Sequence, residues 1–339
     1  MLIGGIKEQS NNRWELLAAA RFVLASIVVV NHLQEYVPIG WMRYFGMLGS
    51  FEAILGFLFI SGYSIGSSLK KDPHNFYKRR AMRLYPVYIV SIVFTYFVMR
   101  DALSFSFIGI ILINLLFLNQ LITSFSYVGP AWSLSLEVWY YIAAPYLLKL
   151  KSNIHWILIW ISFGLFVFYT CGRTVFDWSY YSNTMFGINF FILGFIWIAG
   201  FTYSINPGEK RKIFIKFMLI LVAYMALTVA IQFAYRLKHD AVMSFVQEDL
   251  LAYVFQSGML LILLVLFYTM ERLFYLPSEV KKTLHFLGNI SYPLYLIHIP
   301  CFILFKEYTS NWALLLLLSL ILSTIIYWSV DFYSKKRNV

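Results

Sequence analysis

The chain has 339 residues, of which 60% are hydrophobic, 20% aromatic and only 13% charged, and its mean hydropathy is +0.71. That composition excludes an ordinary soluble domain, and repeated apolar runs of about 20 residues without strand-like alternation exclude a lipid-facing barrel. The excess of Lys and Arg, 27 against 16 acidic residues, lies in short loops between apolar runs, where membrane topology explains it better than nucleic acid does.

Residues 14–34 form the first membrane-length run, and it is interrupted by Arg21 and His32. Eleven helical steps of about 100° amount to three turns plus about 20°, so both side chains leave nearly the same helix face, about 16 Å apart along the axis. Ionisable groups inside a span normally face the bundle interior, so this face reads as a polar track. Residues 1–13 lack the short apolar core and small-residue cleavage site of a signal peptide, so the first run is expected to stay as a span.

The second run, 47–69, carries Glu52 and the cluster Ser61-Gly62-Tyr63-Ser64-Ile65-Gly66, whose small residues suit close helix packing. Lys70, Lys71, Lys78, Arg79, Arg80 and Arg83 then make the densest basic stretch, which the positive-inside rule assigns to the cytoplasm. With Lys7 and Arg13, it places the N-terminus there too. Further apolar runs lie at 85–99, 105–121, 131–148, 154–171, 184–203, 213–235, 250–270, 290–305 and 312–332. If all eleven crossed, Lys149 with Lys151, the cluster Lys210 to Lys216 and the basic tail would fall outside. Making 85–99 or 105–121 non-crossing returns them to the cytoplasm, together with Arg272, Lys281 and Lys282.

The expected fold is therefore an all-α polytopic membrane protein, with about ten transmembrane helices, one re-entrant or interfacial segment and both termini cytoplasmic. Its parts are a cytoplasmic N-terminal segment (1–13), a transmembrane domain (14–333) and a basic cytoplasmic tail (334–339). Re-entrant backbone needs protein or a cavity around it, which points to a substrate chamber. Cys171 and Cys301 lack metal-ligand spacing, so neither a metal site nor a structural disulfide is expected.

Several motifs are able to carry chemistry. Arg80-Ala81-Met82-Arg83 sets two guanidinium groups on neighbouring helical turns, a geometry suited to nucleotide phosphates, although lipid headgroups would use it as well. The sequence Gly129-Pro130-Ala131-Trp132-Ser133-Leu134-Ser135-Leu136-Glu137 reads as an irregular start to a helix with Glu137 inside it. A carboxylate there needs a partner. By the expected topology His32, Glu52 and Glu137 would share one depth, and Glu35, three residues after His32, is a candidate orienter of the imidazole. Ser291, Tyr295 and His298 share a stripe at i, i+4 and i+7, with His298 near mid-membrane, where a lone imidazole is more often a hydrogen-bonded packing residue than a catalyst.

Taken in order, these pieces resemble the membrane-bound acyltransferase-3 family over nearly the whole chain. The resemblance rests on Arg21 and His32 with ten residues between, Ser61-Gly62-Tyr63, the Arg80/Arg83 motif followed by Tyr85-Pro86, Trp132 to Glu137, and Ser291-Tyr292 with Tyr295 and His298. Phe22 after the first-helix arginine, Val138 after Glu137 and the shifted Glu52 depart from the family pattern. The resemblance implies an acyl-CoA donor, taken as acetyl-CoA, reaching Arg80, Arg83 and Tyr85 from the cytoplasm. It implies transfer by His32 with Arg21 and Glu137, and support from Glu52, Ser61, Trp132, Ser133, Ser291, Tyr295 and His298. The implied acceptor is a hydroxyl of an extracytoplasmic or lipid-linked glycan such as O-antigen, lipopolysaccharide or another surface polysaccharide. The implied setting is the bacterial cytoplasmic membrane, with no metal and no nucleic acid. No hydrolase-like domain follows Asp331, so direct transfer is expected. A transporter or flippase using the same polar track, and a lipid-binding scaffold, are the competing readings; paired broken helices in inverted repeats would favour the former.

Overall fold

The computed structural model describes residues 12–269 and 276–337; Lys7 and Arg272, used in the topology above, lie outside them. Each apolar run folds as helix over most of its length, and no β-strand occurs among the described residues. The helices are α1 (Arg13–Leu33), α2 (Ser50–Lys71), α3 (Phe76–Met99), α4 (Phe105–Leu115), α5 (Trp132–Leu148), α6 (Ser152–Phe176), α7 (Ile188–Ile192), α8 (Gly194–Ile205), α9 (Lys210–Lys238), α10 (Leu250–Thr269), α11 (Ser278–Phe305) and α12 (Trp312–Arg337). Eight described helices are long and apolar enough to cross a membrane: α1, α2, α3, α6, α9, α10, α11 and α12. This is a multi-pass helical membrane protein.

One open expectation is narrowed and two boundaries differ. Of the two segments singled out as non-crossing, 85–99 belongs to the 24-residue α3. The other contributes the 11-residue α4, about 16 Å long and half the hydrocarbon thickness, so 105–121 is the segment too short to cross as a helix. The 184–203 run is broken at Leu193, where α7 stops and α8 begins. Ser162 of α6 repairs the break: its hydroxyl donates to the Phe191 carbonyl at 2.5 Å and accepts from the Phe195 N–H at 2.8 Å. A freed backbone group in a membrane needs such a partner. Finally, α11 starts at Ser278, twelve residues before the apolar run, through a polar turn in which Lys282 pairs with Glu279 at 2.8 Å.

The chain divides into two compact units. One contains the residues up to Ala53, Tyr85–Arg100 and those from Met259 onward. Its core joins Val29, Val30 and Leu33 of α1, Val37 and Ile39 of the following segment, Leu294 and Phe302 of α11, and Leu315 of α12. A Cβ added to Gly288 of α11 would lie 2.5 Å from the Ala18 Cβ of α1, so these two helices meet almost backbone to backbone. The segment after α1 is strapped back to it, because the Asn31 amide donates to the Gly46 carbonyl at 3.2 Å and Ser50 donates to Asn31 Oδ1 at 3.4 Å.

The second unit contains Ile54–Leu84 and Asp101–Gly258. The small-residue cluster of α2 acts as expected: a Cβ at Gly62 would fall 2.0 Å from the Trp197 carbonyl oxygen, and one at Gly200 of α8 would fall 2.2 Å from the Phe59 carbonyl oxygen. Two glycines facing opposite ways across one contact allow α2 and α8 to touch along their backbones. At one end of this unit Gln120 organises the loops, accepting from Thr184 at 2.9 Å and Asn189 at 2.7 Å and donating to the Ser182 carbonyl at 2.8 Å.

The tight crossing gives a direct test. Gly62→Ala is expected to lower stability by about 1–3 kcal/mol, because backbone must move to admit the methyl group. Gly164→Ala, with nothing within 4 Å of the added atom, is expected to be neutral or slightly stabilising. Thermal unfolding in detergent, followed by size exclusion, separates the two outcomes.

Candidate active site

Two groups of polar side chains, one in each unit, carry the residues singled out in the sequence. In the first unit α1 and α11 run in the same direction, joined successively by Glu15 with His285 at 3.3 Å, Ala18 with Gly288, and His32 with His298. His32 Nδ1 lies 2.8 Å from His298 Nε2, and the two rings are nearly parallel, 8° apart with centroids separated by 5.1 Å. His298 is fully buried, its Nδ1 lies 3.1 Å from the Leu294 carbonyl, and its ring packs against Tyr295 and Phe302. Tyr36, four residues after His32, continues the seam against Phe302 at 5.7 Å and carries the Lys306 ammonium 5.1 Å above its ring.

The remaining first-unit candidates fall into place around that seam. Arg21 is half-buried on the unbroken α1 and Glu52 is buried at the start of α2, each with interactions of its own. Ser291 is buried and donates to the Gly288 carbonyl of its own helix at 2.7 Å, so its hydroxyl is already engaged. Tyr85 is half-buried in α3. Glu35 is exposed and its carboxyl is pushed above the usual range by partial burial. The expectation that it orients the imidazole is corrected: the ring nitrogen of His32 is held by His298.

In the second unit the basic motif sorts itself. Arg79 is drawn into the α2–α3 loop, where it pairs with the Asp72 carboxylate at 2.5 Å and donates to the backbone carbonyls of Asp72 and His74. Arg80 is half-buried, its guanidinium 5.6 Å from the Phe76 ring and its Nε buried without a hydrogen-bond partner among the described residues; Arg83 is exposed. The Arg80 charge acts on Arg83, on Glu137 and on Tyr141.

Glu137 has the partner that a carboxylate within a helix bundle requires. Tyr141, one turn along α5, donates to Glu137 Oε2 at 2.6 Å. The Trp197 indole N–H donates to Ser61 Oγ at 3.3 Å, and Ser61 is electrostatically coupled to the Tyr141 hydroxyl. The indole has only a donor, so Ser61 accepts from it, while Tyr141 spends its own proton on Glu137. Trp132 is buried, and Ser133 donates to the Pro130 carbonyl at 3.3 Å, closing the 3-10 turn Gly129–Ala131 that starts α5.

Sequence reasoning missed Tyr141, although its i+4 spacing from Glu137 was available. It also missed Ser135 and Trp139, which hold the Phe117 carbonyl at 2.7 and 2.9 Å and so fix the loop after α4.

The model of the acyltransferase-3 family, an acyltransferase domain, matches residues 16–331. This chain belongs to that family. No curated protein and no solved structure matches it. As an acyltransferase-3 member the protein is a membrane acyltransferase, and the two side-chain groups above are its candidate machinery.

The Glu137 pair is expected to be energetically coupled. In a double-mutant cycle, Tyr141→Phe and Glu137→Leu should be non-additive by about 1 kcal/mol or more, since either change alone removes one partner of the bond. Unfolding of the four proteins in matched detergent measures this.

Proposed function

We propose that this acyltransferase-3 member is an O-acyltransferase of the bacterial cytoplasmic membrane. It moves an acyl group, taken as acetyl, from cytoplasmic acyl-CoA to a hydroxyl of an extracytoplasmic or lipid-linked glycan, such as O-antigen or another surface polysaccharide. The observation that carries this reading is the His32–His298 pair, an imidazole inside a membrane bundle with one nitrogen held in place by a second imidazole.

His32 acts as general base. It takes the proton of the acceptor hydroxyl as that oxygen bonds to the acyl carbonyl carbon. The C–S bond of the thioester then breaks, and the proton passes to the departing CoA thiolate, leaving ester and free CoA. Base assistance of this kind is worth about 10² to 10⁴ in rate. Arg21, on the His32 face of α1, stabilises developing negative charge or holds polar groups of the donor. Arg80 and Arg83, with Tyr85 following, take the CoA phosphates; the sequestration of Arg79 leaves these two guanidiniums for that task. Glu137, held by the Tyr141 hydroxyl, supports them. Glu52, Trp132, Ser133, Ser291 and Tyr295 shape the surroundings.

The test is transfer of label from acetyl-labelled CoA to membrane glycan in inside-out vesicles. His32→Ala, at equal abundance, is expected to reduce transfer by at least about 10²-fold. Arg80→Ala and Arg83→Ala are expected to raise KM for acyl-CoA about tenfold or more with smaller effects on kcat, whereas Arg79→Ala leaves KM near the wild-type value. Undiminished transfer by His32→Ala, or absence of transfer from any acyl-CoA with added glycans, overturns the reading.

A further inference from the structure

We infer that His298 is the positioning residue of His32: it fixes His32 as the tautomer protonated on Nδ1 and leaves Nε2 as the single basic nitrogen presented to the acceptor hydroxyl. The role in catalysis rests on the acyltransferase reading above, while the tautomer follows from the geometry of two neutral rings.

The derivation starts at Leu294. A backbone carbonyl only accepts, so the His298 Nδ1 that lies 3.1 Å from it must carry a proton. A neutral imidazole protonated on Nδ1 has its lone pair on Nε2. That lone pair faces His32 Nδ1 at 2.8 Å, a separation that two lone pairs would not tolerate, so His32 Nδ1 is the donor. His32, itself neutral, therefore keeps its own lone pair on Nε2.

The assignment reverses only if His298 is an imidazolium. It is fully buried, its neighbours on α11 are the Tyr295 and Phe302 rings, and the buried α12 side chains among the described residues, Leu315, Ser319, Ser323 and Ile326, bear no charge. On α1 the nearest ionisable neighbours of His32 in sequence are Glu35, beyond the helix end, and Arg21, three turns away; no carboxylate bonds to His298 among the described residues. An unpaired charge there is strongly disfavoured.

Two histidines suit the task for a chemical reason. A carboxylate partner would add a full negative charge inside the span, whereas a neutral imidazole orients His32 without one. When His32 Nε2 accepts the hydroxyl proton, the Nδ1–H bond to His298 is already made and becomes charge-assisted, so the ring need not turn. The nearly parallel rings and the Leu294 anchor hold that alignment through the proton's arrival and departure.

The experiment uses the full chain in lipid nanodiscs with ¹⁵N-labelled histidine. The ¹⁵N shifts and couplings, assigned by difference against His32→Ala and His298→Phe proteins, report which nitrogen of each ring is protonated. Wild type is expected to show Nδ1–H on both residues, and His298→Phe, filling the same space without an acceptor, should allow His32 to populate the Nε2–H tautomer. In the transfer assay His298→Phe should lower kcat at least about tenfold with KM for acyl-CoA unchanged, and His298→Gln, whose amide oxygen can accept from Nδ1–H, should recover most of that loss. An Nε2–H signal for His32 in wild type overturns the proposal. So does full kcat in a folded His298→Phe protein. If wild type shows the expected tautomers but transfers nothing, the acyltransferase reading fails and the positioning of His32 stands.

Discussion

The near-contact of α1 and α11 at Ala18 and Gly288 is the constraint on which the first unit depends. Hydrocarbon tails are as apolar as leucine, so two membrane helices gain little from hydrophobicity and must be held by close packing and hydrogen bonds. A glycine opposite an alanine permits that packing. Above the contact the same two helices must deliver two imidazoles to within hydrogen-bond distance, a tolerance of a few tenths of an ångström. Any residue with a side chain at position 288 would push the helices apart and spoil a bond formed ten residues further along α11. Packing at one level of the seam thus sets the chemistry available at another.

The second unit solves a different problem, that of giving a carboxyl group within a helix bundle a hydrogen-bond partner. Tyr141 of α5 donates to Glu137 on its own helix, while the Trp197 indole of α8 reaches Ser61 of α2 beside the glycine-mediated contact of those two helices. Nearby guanidinium charge acts on the same carboxyl group.

Much of this was legible in the sequence. Membrane-length runs and the packing role of the cluster around Gly62 follow from periodicity and composition, and the structure places them accordingly. What escaped depends on partners far away in the chain. No local pattern ties His32 to a residue 266 positions later, and nothing in the basic motif distinguishes Arg79 from Arg80 until the loop folds and Asp72 claims the first. The break at Leu193 was hidden for a similar reason, because no proline marks it and the side chain that makes it tolerable, Ser162, belongs to another helix. The early start of α11 was hidden by lysines and a glutamate that look like loop but can form an exposed helical turn.

His298 sits between Pro293 and Pro300, both inside α11. Each proline lacks the N–H that would have bonded the carbonyl four residues earlier, so the ladder of this helix has a missing rung on either side of the imidazole. The intervening stretch is therefore less tied to the rest of its own helix than a segment with a full ladder would be. A small change in the tilt of those neighbours can be absorbed at the two open rungs without breaking a backbone bond. The helix becomes a jointed rod, with the buried histidine on its middle segment.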